Sequence, residues 1–276
     1  MKRTTVAAMG LAVSIVLSAL AGAVSAPAAV ADPPTVTSLS ALREKELKWG
    51  LSHQEVTDVY NQPGGLLDHE YSPLIARLQP GVEMQQLEAD RDARKANFQR
   101  SYATFDDSPS GYDVTPLHSE YTYNNNEGVQ RINKDGRSRY FFYIKDRLWK
   151  IYDEMPLKAG GPFGDSYQKA IAGLSALIGA PGRSRGADPA QQLDSPTTDW
   201  QDQTTHLRLV DRSSERLVGV VLEDRNTLSK LASLRVNKPV DPFALDPSIA
   251  AITKTGVSDP NASHGAPDAG STRKRN

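Results

Sequence analysis

Hydrophobic and polar positions along this chain follow two alternating spacings, and the order of those spacings occurs twice. Val56, Val59 and Tyr60 recur at helical intervals. Just ahead of them Ser52 stands three residues before Glu55, the arrangement in which each side chain bonds the other's backbone N–H at a helix start. Asn61-Gln62-Pro63-Gly64-Gly65 then stops the helix. Far downstream, Gly164-Asp165-Ser166 opens a second helix with Ile171, Leu174, Leu177 and Ile178 on one face, and Gly179-Ala180-Pro181-Gly182 closes it. The Ser-to-Pro interval is four residues longer the second time, close to one helical turn.

Each helix is followed by extended segments. Residues 139–144 and 148–152 flank a turn near Lys145-Asp146 and predict a β-hairpin, and residues 206–210 and 216–222 predict another around 212–215. Strand candidates at 120–123 and 197–200 precede the two hairpins. The expectation is an α+β fold made of two helix-then-antiparallel-hairpin repeats, with helices covering one sheet face. Between the first helix and its strands, Met84, Leu87, Arg91, Arg94, Phe98, Tyr102 and Phe105 fall three or four apart. They predict a long helical insertion within residues 74–105, with Asp90 and Arg94 pairing on its solvated side. Leu228, Leu231 and Leu234 suggest one short closing helix.

The ends change the picture. Lys2 and Arg3 precede an apolar run and then Ala29-Val30-Ala31, which reads as a secretory signal cleaved after Ala31. An uncleaved anchor is the rival, because the run approaches spanning length, and membrane contact is expected only in that case. Residues 32–39 are a linker, 40–158 the first repeat and 159–236 the second. Residues 237–276 carry prolines with Asp, Ser, Gly and Ala, a composition that predicts a largely disordered tail, although Asp241-Pro242-Phe243-Ala244-Leu245 can pack as a strap. The chain has no Cys, so disulfides, thiolate metal sites and lipidation at an N-terminal Cys are excluded. Removing the leader takes the formal charge from −1 to −3, and with no basic excess nucleic acid is not an expected partner.

The phrase Trp49-Gly50-Leu51-Ser52-His53-Gln54-Glu55-Val56, followed by a Pro-Gly stop and Tyr-rich strands, resembles the repeat of the small outer-membrane-assembly lipoproteins and of the β-lactamase inhibitor protein. The resemblance covers the two helix starts and their strands. This chain departs from it by lacking a lipidated Cys and by carrying the insertion. It implies a helix-plus-antiparallel-sheet fold and, by analogy, contact with another protein through the open sheet face.

Motifs for catalysis are lacking. The five histidines, His53, His69, His118, His206 and His264, are nowhere spaced as three or four apart, so no metal motif forms. His69-Glu70 lacks the second His of a zinc-protease helix. No Gly-x-Ser-x-Gly elbow occurs. Asp106-Asp107, Asp153-Glu154 and Glu223-Asp224 are adjacent carboxylates; neighbours on a strand point to opposite faces, so these read as solvated strand ends. Gly160-Gly161-Pro162-Phe163-Gly164 has no following Lys-Ser or Lys-Thr and reads as the hinge between repeats.

Aromatics remain. Tyr140, Phe142 and Ile144 take one face of their strand, while Phe141 and Tyr143 take the other. Either the insertion helix covers the second face, the commoner fate of strand aromatics, or Phe141, Tyr143 and Trp149 form an exposed patch, the candidate binding surface. The sequence thus favours an exported, periplasmic or secreted, non-catalytic module that binds another protein and needs no cofactor. A carbohydrate or peptidoglycan binder is the alternative, favoured if Asn124-Asn125-Asn126 lies beside the aromatics, and an unrecognised envelope enzyme is third.

Overall fold

The structure is a computed structural model that describes residues 32–106, 115–134, 137–188 and 194–237. Residues 1–31, where a signal is expected, and residues 238–276, which include the expected strap at 241–245, lie outside the described residues. The first helix, α1, spans His53–Asn61, and its Ser52 cap accepts from the Glu55 N–H while Glu55 Oε2 accepts from the Ser52 N–H. Two helices follow, α2 (Leu66–Ile75) and α3 (Val82–Arg100). The later helix, α4 (Tyr167–Ile178), starts at the Ser166 cap and ends on Gly179 at φ 82°, a left-handed conformation that glycine adopts without a Cβ clash.

Eight strands form one antiparallel sheet. They are β1 (Ala103–Thr104), β2 (Glu127–Lys134), β3 (Arg137–Ile144), β4 (Arg147–Pro156), β5 (Arg183–Arg185), β6 (Thr197–Gln201), β7 (Thr205–Arg212) and β8 (Leu217–Asp224). The spatial order is β1-β2-β3-β4-β8-β7-β6-β5. Each half of the chain is therefore a meander running from a sheet edge to the centre. The two meet where β4 pairs with β8, with Lys150 opposite Glu223 and Tyr152 opposite Val221. The class is α+β. Two short helices, α5 (Arg225–Ser229) and α6 (Leu231–Leu234), close the described chain where one was expected.

Both sheet faces are buried over the first half, each by different material. On the inner face, Val56, Tyr60, Leu67, Phe98, Tyr167 and Leu174 of the helices pack on Phe141, Tyr143, Leu148, Ile151, Trp200, Leu207 and Leu222. On the outer face, Phe105, Leu117 and Tyr121 pack on Tyr140, Phe142, Ile144, Trp149 and Tyr152, with Leu228, Leu231 and Leu234 at the margin. The insertion helix α3 thus joins the inner layer. The outer face is covered by the chain that follows it.

Several expectations are corrected. Residues 120–123 are not a strand: His118–Glu120 is a 3-10 turn, and Tyr121 stacks flat on Phe105 as part of the outer cover. The strand that precedes the first hairpin is β2 instead, with β1 outside it at the sheet edge. Helix α2 and strand β5 were not anticipated. In α3 only Phe98 is fully buried; Tyr102 lies beyond the helix and stacks on His53. Asp90 and Arg94 meet on α2 instead of pairing with each other, since the Tyr71 hydroxyl donates to Asp90 and Arg94 reaches Glu70 at 2.6 Å.

Candidate functional site

The exposed aromatic patch does not form. Phe141 and Tyr143 are 0% exposed and Trp149 1%, because helices cover the first two and the outer segment covers the third. Nor do the three share a face. The register slips between Phe142 and Tyr143, so that Phe142 pairs with Lys150 and Tyr143 with Leu148. That bulge leaves Trp149 as an extra residue and turns it outward beside Lys150, whose Nζ sits 4.4 Å from the Trp149 ring centre. Asn125 is also spent, its amide donating to Thr122, to the Tyr123 carbonyl and to the Asn237 carbonyl.

The second half of the outer face is of a different chemistry. Leu207, Leu209, Leu222 and Trp200 point inward, so strand alternation puts His206 and Arg208 of β7, Glu223 of β8 and Asp199 of β6 outward. Register then sets Asp199 opposite both Arg208 and Arg183, and Glu223 opposite both His206 and Lys150. Glu120, from the 3-10 turn, is laid over this row. Its carboxylate takes a two-pronged contact from Arg208, at 3.0 and 2.7 Å, and a third from Lys150 at 2.6 Å. Arg208 also reaches Glu223 at 3.1 Å, and Glu223 faces His206 Nδ1 at 2.8 Å. His206 Nε2 lies 3.4 Å from Asp199, which accepts from Arg183 at 2.6 Å. Arg235 donates twice to Glu127, at 2.8 Å each, and touches the Glu120 carbonyl.

The carboxylates and Lys150 of this network are buried, Lys150 only 3% exposed, while Arg183, His206 and Arg208 are half-buried. Burial alone would raise the Glu120 carboxyl, but Arg208 and Lys150 outweigh it and hold the group down at about 2. Glu223 is likewise depressed, its burial outweighed by Arg208, His206 and Lys150. His206 moves up: burial opposes its charge, yet its bonds to Asp199 and Glu223 prevail. Both glutamates are therefore fixed anions at neutral pH, unable to donate a proton. The earlier reading of Glu223 as a solvated strand end is overturned. The adjacent pairs do diverge as alternation requires, with Asp153 gripping Arg139 on the inner face and Glu154 meeting Arg212 on the outer.

The network walls a cavity of about 420 Å³, lined by Glu120, Trp149, Lys150, Arg183, Arg185, Thr197, Asp199, Gln201, His206, Arg208, Glu223 and Arg235 among others. A larger cavity, about 640 Å³, opens on the inner side between α2, β3 and β4. There the central cation, Arg139, is fully engaged by Asp153 and by Glu44 and Tyr60. Both cavities have buried polar atoms without a hydrogen-bond partner among their lining residues: Trp149 Nε1 and Thr197 Oγ1 at the smaller, Arg94 Nε and Glu44 Oε2 at the larger. Among the described residues, no group of three or more His, Asp or Glu is placed to hold a metal ion, and no helix is long and apolar enough to cross a membrane.

The sequence held one signal for this site. In His206-Leu207-Arg208-Leu209, charged and apolar residues alternate, which by itself makes one face of β7 polar. What it does not carry is the arrival of Glu120, 88 residues away from Arg208. Compared with protein-family models, with curated proteins and with solved structures, the chain has no significant match.

Proposed function

We propose that the chain is an exported, non-catalytic binding module that seats a protein partner on the polar half of its outer sheet face. The observation that supports this is the buried charge network around the outer cavity. A general acid or base works best with a pKa near the working pH and a free proton path, whereas Glu120 and Glu223 are locked as anions by the cations they contact and His206 has both ring nitrogens on Glu223 and Asp199. Fixed, mutually oriented charges suit recognition and register more than proton transfer. The wall carries five basic side chains, Lys150, Arg183, Arg185, Arg208 and Arg235, against three carboxylates, Glu120, Asp199 and Glu223, with Glu127 behind it on Arg235, which leaves one basic group in excess. The complementary partner segment is therefore acidic. The resemblance of residues 49–56 to sheet-face binders points the same way, by analogy alone.

The test is capture from envelope or culture extract on the immobilised mature protein. Two variants run beside it: Arg183→Glu with Arg185→Glu, and Leu177→Ser with Val82→Ser, which alters exposed helix positions remote from the cavity. Circular dichroism checks that both fold. The expected result is one acidic partner held by wild type and by the helix variant but lost by the charge reversal. Equal retention by the charge reversal, or no enrichment at all, would contradict the proposal.

A further inference from the structure

His206 stands in the wall of the outer cavity with a carboxylate on each ring nitrogen. Glu223 Oε2 lies 2.8 Å from Nδ1, and Asp199 Oδ2 lies 3.4 Å from Nε2. Only a doubly protonated ring can donate to both. A neutral ring carries one proton, and the closer contact with Glu223 keeps that proton on Nδ1. The Nε2 lone pair then faces the Asp199 carboxylate, whose own bonds hold it below the usual range and therefore ionised. Two acceptors turned on each other repel.

The two contacts reach different parts of the sheet. Glu223 belongs to the central strand β8, and it is gripped again by Arg208 at 3.1 Å, with Lys150 at 3.7 Å. Asp199 belongs to β6, beside the edge strand β5, whose Arg183 donates to it at 2.6 Å. On the outer face, His206 thus joins the edge of the sheet to its centre. The charged groups around the ring are Glu223, Asp199 with Arg183 behind it, Arg208 on the same strand, and Lys150 and Glu120 behind Glu223; Arg235 lines the same cavity. Burial and Arg208 oppose charge on the ring, but Asp199 and Glu223 favour it and prevail, so its pKa lies above the ordinary 6.5.

We infer that His206 is a proton-operated clamp on the outer cavity: with both ring protons it ties Asp199 to Glu223 across β7, and loss of the Nε2 proton releases Asp199 from β7. The proton also sets the charge of the wall. Apart from this ring the basic excess is one group, so the imidazolium doubles it, and an acidic ligand is held more tightly while the clamp is closed. That effect on binding rests on the acidic partner proposed above, whereas the clamp itself stands on the two contacts of the ring.

The test follows the full mature chain by NMR from about pH 5.5 to 8.5, reading the His206 ring and the backbone amides of Arg183 and Asp199. The same chain is titrated with hexaglutamate, which stays ionised throughout, at about pH 6 and 8.5 and one ionic strength. Two variants accompany it: His206→Gln, which cannot titrate, and Asp199→Asn, whose amide N–H can donate to Nε2 and so favours the neutral ring. In wild type both amides should shift with the midpoint of the ring, and Asp199→Asn should lower that midpoint. Hexaglutamate should bind about threefold or more weaker at the higher pH, and in His206→Gln the two affinities should agree. Amides that ignore the ring, or a midpoint unmoved in Asp199→Asn, would overturn the clamp. So would a pH dependence of binding that is the same in His206→Gln as in wild type. Amides that follow the ring while hexaglutamate binds at neither pH would uphold the clamp and contradict the acidic partner.

Discussion

The two halves of the outer sheet face share one backbone pattern and carry opposite chemistry. Over β3 and β4, Tyr140, Phe142, Ile144 and Tyr152 are sealed by Phe105, Leu117 and Tyr121. Over β6, β7 and β8, the outward positions at one end are Asp199, His206, Arg208 and Glu223, which surround a cavity, while Val210 and Val221 further along join the apolar cluster. The first half gains by removing apolar area from water, about 25 cal/mol per Å². The second half cannot: charges taken out of water are restored only through close pairing, and replacing such a network by apolar side chains is often neutral or stabilising. Stability alone thus accounts for the aromatic half but gives no reason to keep the polar one. Gly219 marks the seam, since a Cβ there would lie 2.2 Å from the Tyr152 hydroxyl.

The largest effects should come from damaging either half at its centre. Phe142→Ala should cost about 3–5 kcal/mol in urea unfolding, the usual range for emptying a buried aromatic site. Glu120→Ala should cost about 3–5 kcal/mol as well, because Lys150 would stay buried without its main counter-ion and the half-buried Arg208 would keep only Glu223. The comparison fails if Glu120→Ala unfolds like wild type, which would mean that water already reaches these charges.

Acid should discriminate between the halves next. Glu120 and Glu223 have folded pKa values below their ordinary 4.5, so their contribution is present above that value and lost as pH falls from about 4.5 toward 2. Melting temperature followed over that interval should drop steeply in wild type and less so in Glu120→Gln with Glu223→Gln. His206 has the opposite sign. Its folded pKa is raised above 6.5, so the stabilisation is complete below 6.5 and fades as pH rises through the raised value. In His206→Gln that alkaline decline should vanish, a smaller effect read from the same melting curves.

The smallest effect on stability belongs to Thr197→Val, expected within about 1 kcal/mol of wild type in either direction, since the hydroxyl it deletes makes no bond. A loss of several kcal/mol would show that Thr197 holds the fold and would return the polar half to a structural role.

How far the sequence reaches can be judged at particular residues. The starts and stops of α1 and α4 were legible because Ser52, Glu55, Ser166 and Gly179 act within a few positions of themselves. Strand β2 was not, because its two buried apolar residues, Val129 and Ile132, serve opposite faces of the sheet and so break the period of two. Helix α2 hides behind the Pro-Gly-Gly stop and carries Pro73 in its last turn. Trp149 was assigned the wrong face because simple alternation has no means of announcing a bulge. The polar row was half visible in the alternation of β7, but its burial depends on Glu120 and Arg235 arriving from other parts of the chain, a tertiary fact without a local signature.

The most direct test of the account replaces the network by apolar side chains of similar size: Glu120→Leu, Lys150→Met, Arg208→Met and Glu223→Leu together. Unfolding and retention of the captured partner are then measured on the same preparation. The account predicts a variant at least about as stable as wild type that no longer holds the partner. A stable variant that retains the partner as wild type does would contradict the claim that the polar half of the outer face is the recognition site.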